Sequence, residues 1–340
     1  PTASDSFARP RLFKLLDSAR RKPLIWVMGP PGSGKTMLVA DYLERRRVTT
    51  LWYQADPGDA DIATFYHYLG LAAKKTAPRH RRPLPACTPD RLTDLDRYAR
   101  QFFAALYARL KPPFTLVFDN YQDIPAEAGL HDALRVALEL LPEGGHIVAL
   151  SRREPPASLA RARLHDRIAM LDNSVLRLTL DEARGIARHR LPDRRARRHV
   201  AELHALTHGW AAGLVLMLEQ ADGTVPAGAT AYRTPDVLFE YFASEVFDKA
   251  DPDTRAVLLQ SVFLPSMTAR TVAALTGERR AGRILNHLNR NNFFTSRFNL
   301  PETVYQYHPL FREFLLSRAL RLLAHDTLTA LRTRAAVLLE

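Results

Sequence analysis

The residues with the clearest chemistry in this chain are Gly29-Pro30-Pro31-Gly32-Ser33-Gly34-Lys35-Thr36. Glycines at the ends of a short stretch that closes on Lys-Thr let the backbone fold so that successive N–H groups face an anion. The apolar run Leu24-Ile25-Trp26-Val27-Met28 before the loop reads as a strand, and Met37-Leu38-Val39-Ala40 after it as a helix. That helix points its positive N-terminal end at the same anion. Lys35 is then in reach of β- and γ-phosphates, and the Thr36 hydroxyl offers Mg2+ a hard oxygen ligand. The expected ligand is a nucleoside triphosphate with Mg2+, held by Gly29 to Met37.

A metal-bound triphosphate needs a carboxylate on a second buried strand. Phe114-Thr115-Leu116-Val117-Phe118 followed by Asp119 supplies one, since the carboxyl end of a parallel strand opens on the crevice where α/β sheets take ligands. A strand-end aspartate can also cap the following turn; downstream of the loop, Asp119 is the expected Mg2+ residue beside Thr36. Next comes Asn120, where fast NTPases often carry a second carboxylate. An amide orients water but is a poor base, so slow ATP hydrolysis is the most that is expected. His146-Ile147-Val148-Ala149-Leu150 ends in Ser151-Arg152-Arg153, and an arginine there can stabilise charge on the γ-phosphate. Arg152 suits that role, and Arg153 reads as a solvated loop residue. Lys35, Asp119, Asn120 and Arg152 form the candidate catalytic set.

Strands at 24–28, 49–54, 114–119 and 146–150 alternate with helices at 61–74, 91–110 and 132–141, which predicts a three-layer α/β domain on a parallel sheet. A further helix precedes them at 11–21. After Val175 to Leu180 the strand signal fades, and 181–190, 194–206 and 210–219 read as helices. The stretch Gly223 to Thr234 is rich in Gly, Pro and Thr and reads as a linker. Helices at 237–247, 253–261, 269–275 and 281–288 then lead to two arms, Phe293 to Ser296 and Val304 to Tyr307, around Asn299-Leu300-Pro301. Helices closed by such a hairpin describe a winged helix. The expected domains are 1–174 (nucleotide binding), 175–222 (helical), 223–235 (linker) and 236–320 (winged helix). Residues 321–340 read as the start of a helical, repeat-like region that continues beyond them.

With 46% hydrophobic and 25% charged residues among 340, the chain can fill two or three cores. Its apolar runs fall short of the roughly 20 residues that span a bilayer, and its start lacks a secretory pattern. One cysteine, Cys87, excludes disulfides within the chain and fits a reducing, cytoplasmic location. A net charge of +12 raises nucleic acid as a partner. The densest basic run, His189 to His199, continues into Val200, Leu203 and Leu206 at helical spacing, so its arginines read as a solvated face.

In order along the chain, the phosphate loop, Leu116-Val117-Phe118-Asp119, Ser151-Arg152-Arg153-Glu154-Pro155-Pro156, Thr207-His208-Gly209-Trp210-Ala211-Ala212-Gly213-Leu214 and Tyr305-Gln306-Tyr307-His308-Pro309-Leu310-Phe311 resemble the MalT-like signal-transduction ATPases with numerous domains, the large LuxR-type bacterial regulators. The resemblance runs from Arg9-Pro10-Arg11-Leu12 to about Ala319. It implies a switch closed on ADP at rest, which an inducer sensed by a missing C-terminal region shifts to a self-associating ATP form. DNA would be bound by a separate C-terminal domain. Residue by residue, the resemblance places Arg9 and Pro10 against the adenine, Gly209 and Trp210 near the base and ribose, and Arg152 on the γ-phosphate. It puts His308 on the β-phosphate. Read alone, Arg9 to Leu12 is a helix start, Trp210 is a large residue that fits a core, and His308 is a hairpin-end histidine packed under Phe311. Asn120 departs from the family, where a second acid is common. A DNA-binding winged helix with ATP as a structural ligand is the alternative function, and a processive motor is a third.

Overall fold

Runs of β-branched and aromatic residues make β1 (Leu24–Met28), β2 (Thr49–Gln54), β3 (Phe114–Asp119), β4 (Gly145–Ser151) and β5 (Ile168–Leu171). They form one parallel sheet in the order β2-β3-β4-β1-β5. Every residue of β3 is buried, as expected of a parallel strand covered on both faces. This is a computed structural model describing residues 7–78, 82–88, 91, 93–190, 199–221, 236–299 and 302–338. The chain divides into two units, Pro1–Gly29 with Gly34–Leu176, and Pro30–Ser33 with Arg177–Glu340.

In the first unit the sheet alternates its side chains between two cores. Leu24, Trp26, Leu116, Phe118 and Ile147 pack with α3 (Ile62–Thr76), α4 (Leu95–Arg109) and α5 (Leu130–Glu139). Ile25, Val27, Val117, Val148 and Leu150 pack with α1 (Pro10–Ala19) and α2 (Lys35–Arg45). Helices α6 (Ala160–Leu164) and α7 (Asn173–Leu176) complete the unit. This is the expected three-layer α/β fold on a parallel sheet. The register aligns Met28 of β1 with Ser151 of β4, and Gln54 of β2 with Asp119 of β3. The carboxyl ends that carry Asp119, Ser151 and the phosphate loop are therefore on one edge of the sheet.

The second unit has one core. Its helices are α8 (Leu180–Arg190), α9 (Val200–Thr207), α10 (Ala211–Ala221) and α11 (Asp236–Phe242), the last running on as a π-helical turn through Phe247. Then come α12 (Pro252–Ser261), α13 (Ala269–Thr276) and α14 (Ala281–Arg290), the hairpin of β6 (Thr295–Asn299) and β7 (Thr303–Tyr307), α15 (Pro309–Leu322) and α16 (His325–Val337). Met267 pairs with Tyr305 as a third rung beside the hairpin, giving the expected winged-helix arrangement. Trp210, Phe242, Phe294, Phe311 and Phe314 form the middle of the core.

Two elements differ from the sequence reading. The last strand is Ile168–Leu171 rather than anything in 175–180, and 173–176 is helical. Four residues on a sheet edge, two of them buried, give too short an alternation to stand out. The helical stretch from Leu320 is broken: α15 stops at Leu322, Leu323 is extended, and α16 starts at His325. Linker 223–235, Arg194 to Arg198 of the basic run, and Leu300-Pro301 lie outside the described residues. Among the described residues no helix is long and apolar enough to cross a membrane.

Candidate functional site

In the first unit, β1 delivers Gly29, whose N–H donates to the Ser151 carbonyl at 3.2 Å. Gly34 has φ +82°, a left-handed conformation that opens α2 and that a side chain would oppose. Lys35, the first residue of α2, donates from Nζ to the Gly29 carbonyl at 2.8 Å. Thr36 Oγ1 lies 3.1 Å from each carboxylate oxygen of Asp119. The next turn of the chain holds that carboxylate further, because the Asn120 N–H donates to Asp119 Oδ1 at 2.9 Å. Asn120 itself has φ +56° and ψ +34°, a region that asparagine enters more readily than other side chains. Its residue type therefore has a backbone explanation that the sequence did not show.

Burial shifts the titration of these groups. The Lys35 pKa is lowered to about 7, by burial first and the charge of Arg152 second, with Asp119 opposing both. Burial also raises the Asp119 carboxyl, against the hydrogen bonds from Thr36 and the Asn120 N–H and the charge of Lys35. Asp119 is 5% exposed, so water does little for it. Two cationic side chains beside one buried carboxylate suit an anion at the former and a cation at the latter. Among the described residues no group of three or more His, Cys, Asp or Glu could hold a metal. The Thr36–Asp119 pair does fit Mg2+, which takes one or two protein oxygens and completes its shell from phosphate and water.

Arg9 is 7% exposed and donates from its guanidinium to the Leu176 carbonyl at 2.8 Å. Pro10 begins α1, where its missing N–H costs nothing. Met37, in the first turn of α2, is exposed.

The loop residues Pro30 to Ser33 belong by their contacts to the second unit. Trp210 Nε1 donates to the Pro31 carbonyl at 2.9 Å, and the Ala212 N–H to the Gly32 carbonyl at 2.9 Å. Gly32 has φ +68°, and a Cβ there would lie 2.5 Å from that of Ala212. Trp210 is 6% exposed, stacked on Phe242 at 5.4 Å and edge-on to Phe294 at 5.0 Å. Gly213 makes room for the indole, because a Cβ there would lie 2.3 Å from its ring. Gly209 (φ +73°) has no space for a Cβ beside the Leu178 carbonyl. In the spacing Gly-Trp-x-x-Gly, Gly213 thus makes room for the indole and Gly209 for the Leu178 backbone, roles not read from the sequence. His308 Nε2 is 3.0 Å from the Thr207 carbonyl, which makes it the proton-bearing nitrogen. Burial lowers the ring's pKa to about 4, so it is neutral near pH 7.

Sequence reasoning also passed over Gln122 and Trp26. Gln122 Oε1 accepts the Arg152 N–H at 3.1 Å, and Trp26 Nε1 donates to the Arg153 carbonyl at 2.8 Å. The only hint was a turn-forming Asn two residues before Gln122.

Two family models match the chain: an AAA domain over residues 18–151 and a MalT winged helix domain over residues 243–327. The chain resembles the MalT regulators. It is 30% identical over 320 residues to the HTH-type transcriptional regulator MalT of Klebsiella pneumoniae (strain 342), covering 91% of this chain and 35% of that protein. The MalT of Klebsiella pneumoniae subsp. pneumoniae is similar to the same extent. The chain spans about a third of the length of these relatives. Its fold is also similar to that of a Walker-type ATPase of Pyrococcus abyssi, with a TM-score of 0.59, 15% identity, and 93% and 98% of the two chains covered. The AAA match contains the phosphate loop, Asp119 and Asn120; the winged-helix match contains His308.

Proposed function

We propose that this chain is the nucleotide-operated switch of a bacterial transcription regulator. The observation that carries the reading is the geometry of the phosphate loop, where Gly34 is left-handed, Lys35 Nζ reaches back to the Gly29 carbonyl at 2.8 Å, and Thr36 Oγ1 lies 3.1 Å from each oxygen of the buried Asp119 carboxylate. In this reading the loop from Gly29 to Thr36 cradles the phosphates of ATP or ADP, and Lys35 neutralises them. Thr36 and Asp119 hold Mg2+, which would screen the β- and γ-oxygens from one another. Arg152 reads the γ-phosphate, so that ATP and ADP favour different states of the chain, as a population shift requires. Arg9 and Pro10 flank the adenine, and Gly209 and Trp210 support the nucleotide by shaping the loop at Pro31 and Gly32. His308 contacts phosphate in the ADP form; binding must then supply the imidazole with its second proton. Hydrolysis is slow, because Asn120 is no base. The ATP form self-associates once an inducer binds elsewhere in the regulator, and DNA is contacted by another domain.

Denaturing the purified chain and identifying the released nucleotide tests this. Near-stoichiometric ADP supports the switch; a chain that neither carries nor takes up ADP or ATP with Mg2+ contradicts it. The net charge of +12 together with the winged helix favours one second reading, direct DNA binding. Steeply salt-dependent affinity of this chain for duplex DNA would support it.

A further inference from the structure

The turn after β3 and the turn after β4 are tied together by one side chain. Gln122 sits three residues beyond Asp119 in the single 3-10 turn Tyr121–Asp123, which the left-handed Asn120 starts. It is 9% exposed, and its Oε1 accepts the backbone N–H of Arg152 at 3.1 Å. The segment it grips is fixed at three further points. The Ser151 carbonyl accepts from the Gly29 N–H at 3.2 Å, Ser151 Oγ accepts from the Arg153 N–H at 2.9 Å, and the Arg153 carbonyl accepts from Trp26 at 2.8 Å. The gripping turn is rigid in its own right. The Tyr121 hydroxyl lies 2.8 Å from His131 Nδ1, His131 Nε2 lies 2.8 Å from the Pro125 carbonyl, and the Tyr121 ring meets Trp26 edge-on at 5.0 Å.

We infer that Gln122 is a positioning residue for Arg152: by holding the Arg152 backbone to the turn that follows Asp119, it sets how well the chain distinguishes a nucleoside triphosphate from a diphosphate. This rests on the reading of Arg152 as the γ-phosphate contact. An arginine reports a phosphate only if its base is fixed, because a long side chain on a loose backbone spreads its charge over many positions. Gln122 touches no phosphate in this account. Its amide acts through one backbone N–H, beside the strand end that carries the metal carboxylate.

The test is equilibrium titration of the full chain with ATP and with ADP, each with Mg2+, alongside thermal melting. Gln122→Met keeps the length of the side chain and removes the acceptor. It is expected to lower the ATP-to-ADP affinity ratio about tenfold, with ADP affinity and melting temperature near those of the parent. Gln122→Glu keeps an acceptor oxygen and restores the ratio. In an Arg152→Ala background, Gln122→Met changes the ratio no further. If Arg152→Ala lowers the ratio and Gln122→Met leaves it unchanged, or weakens ATP and ADP equally, the inference is overturned and the Arg152 reading stands. If Arg152→Ala leaves the ratio unchanged, that reading falls and the inference with it. Should Gln122→Met not fold, Gln122→Asn, which withdraws the acceptor by one methylene, is held to the same outcomes.

Discussion

Lys35 and Trp210 both lie in regions that the sequence marks as functional, yet burial does opposite things to them. Around Lys35 and Asp119 the fold buries titrating groups, which lowers the lysine pKa and raises that of the carboxyl. Around Trp210 the one polar atom of the indole is satisfied by the Pro31 carbonyl, and its faces are covered by Phe242 and Phe294. Desolvating titrating groups costs stability that a bound phosphate and cation would offset, whereas packing a neutral indole contributes stability by itself. Chemistry-bearing residue types therefore do not by themselves mark a ligand site; buried groups with shifted pKa values are the stronger mark.

The largest effect is expected at Lys35. Lys35→Ala should weaken ATP binding by at least about a hundredfold, the scale of a lost charge-assisted contact of roughly 3 kcal/mol, as measured by calorimetric titration. Affinity within a few-fold of the parent would end the contrast. Trp210→Ala should destabilise the chain by about 3–5 kcal/mol, the usual cost of emptying a large aromatic site, read by denaturant unfolding. A loss under about 1 kcal/mol would show that the indole is not core.

His308, in the same core as Trp210, makes stability depend on pH. Its ring titrates at about 4 in the folded chain against 6.5 when unfolded. Between those values the unfolded chain binds a proton that the folded one refuses, so stability is lost as pH falls from 6.5 to 4. Thermal melting across that range should show a shallower loss for His308→Gln; identical slopes would remove the assignment. The smallest effect belongs to Asn120. Asn120→Gly should keep the turn and change stability by less than about 0.5 kcal/mol, and Asn120→Asp should raise ATP turnover if the position orients water. Unchanged turnover in Asn120→Asp would leave Asn120 as a turn residue only.

What could be read beforehand follows the range of the interactions. The phosphate loop, Asp119 and the parallel sheet were legible because their residues have fixed spacing beside long apolar runs. Strand β5 was not, since four residues carry little pattern. Gln122 was invisible because its partner Arg152 is thirty residues away and one glutamine in a turn has no signature. The grouping of Pro30 to Ser33 with the second unit depends on Trp210, 179 residues distant from Pro31. The two glycines around that tryptophan were quoted as a motif, but only the built indole shows that Gly213 exists to make room for it.

Melting of the parent chain and of Lys35→Met, each with and without ADP and Mg2+, decides whether Lys35 is a phosphate contact. ADP with Mg2+ should raise the melting temperature of the parent and leave that of Lys35→Met where it was. A Lys35→Met chain that gains as much from ADP as the parent would contradict the phosphate-binding role of Lys35.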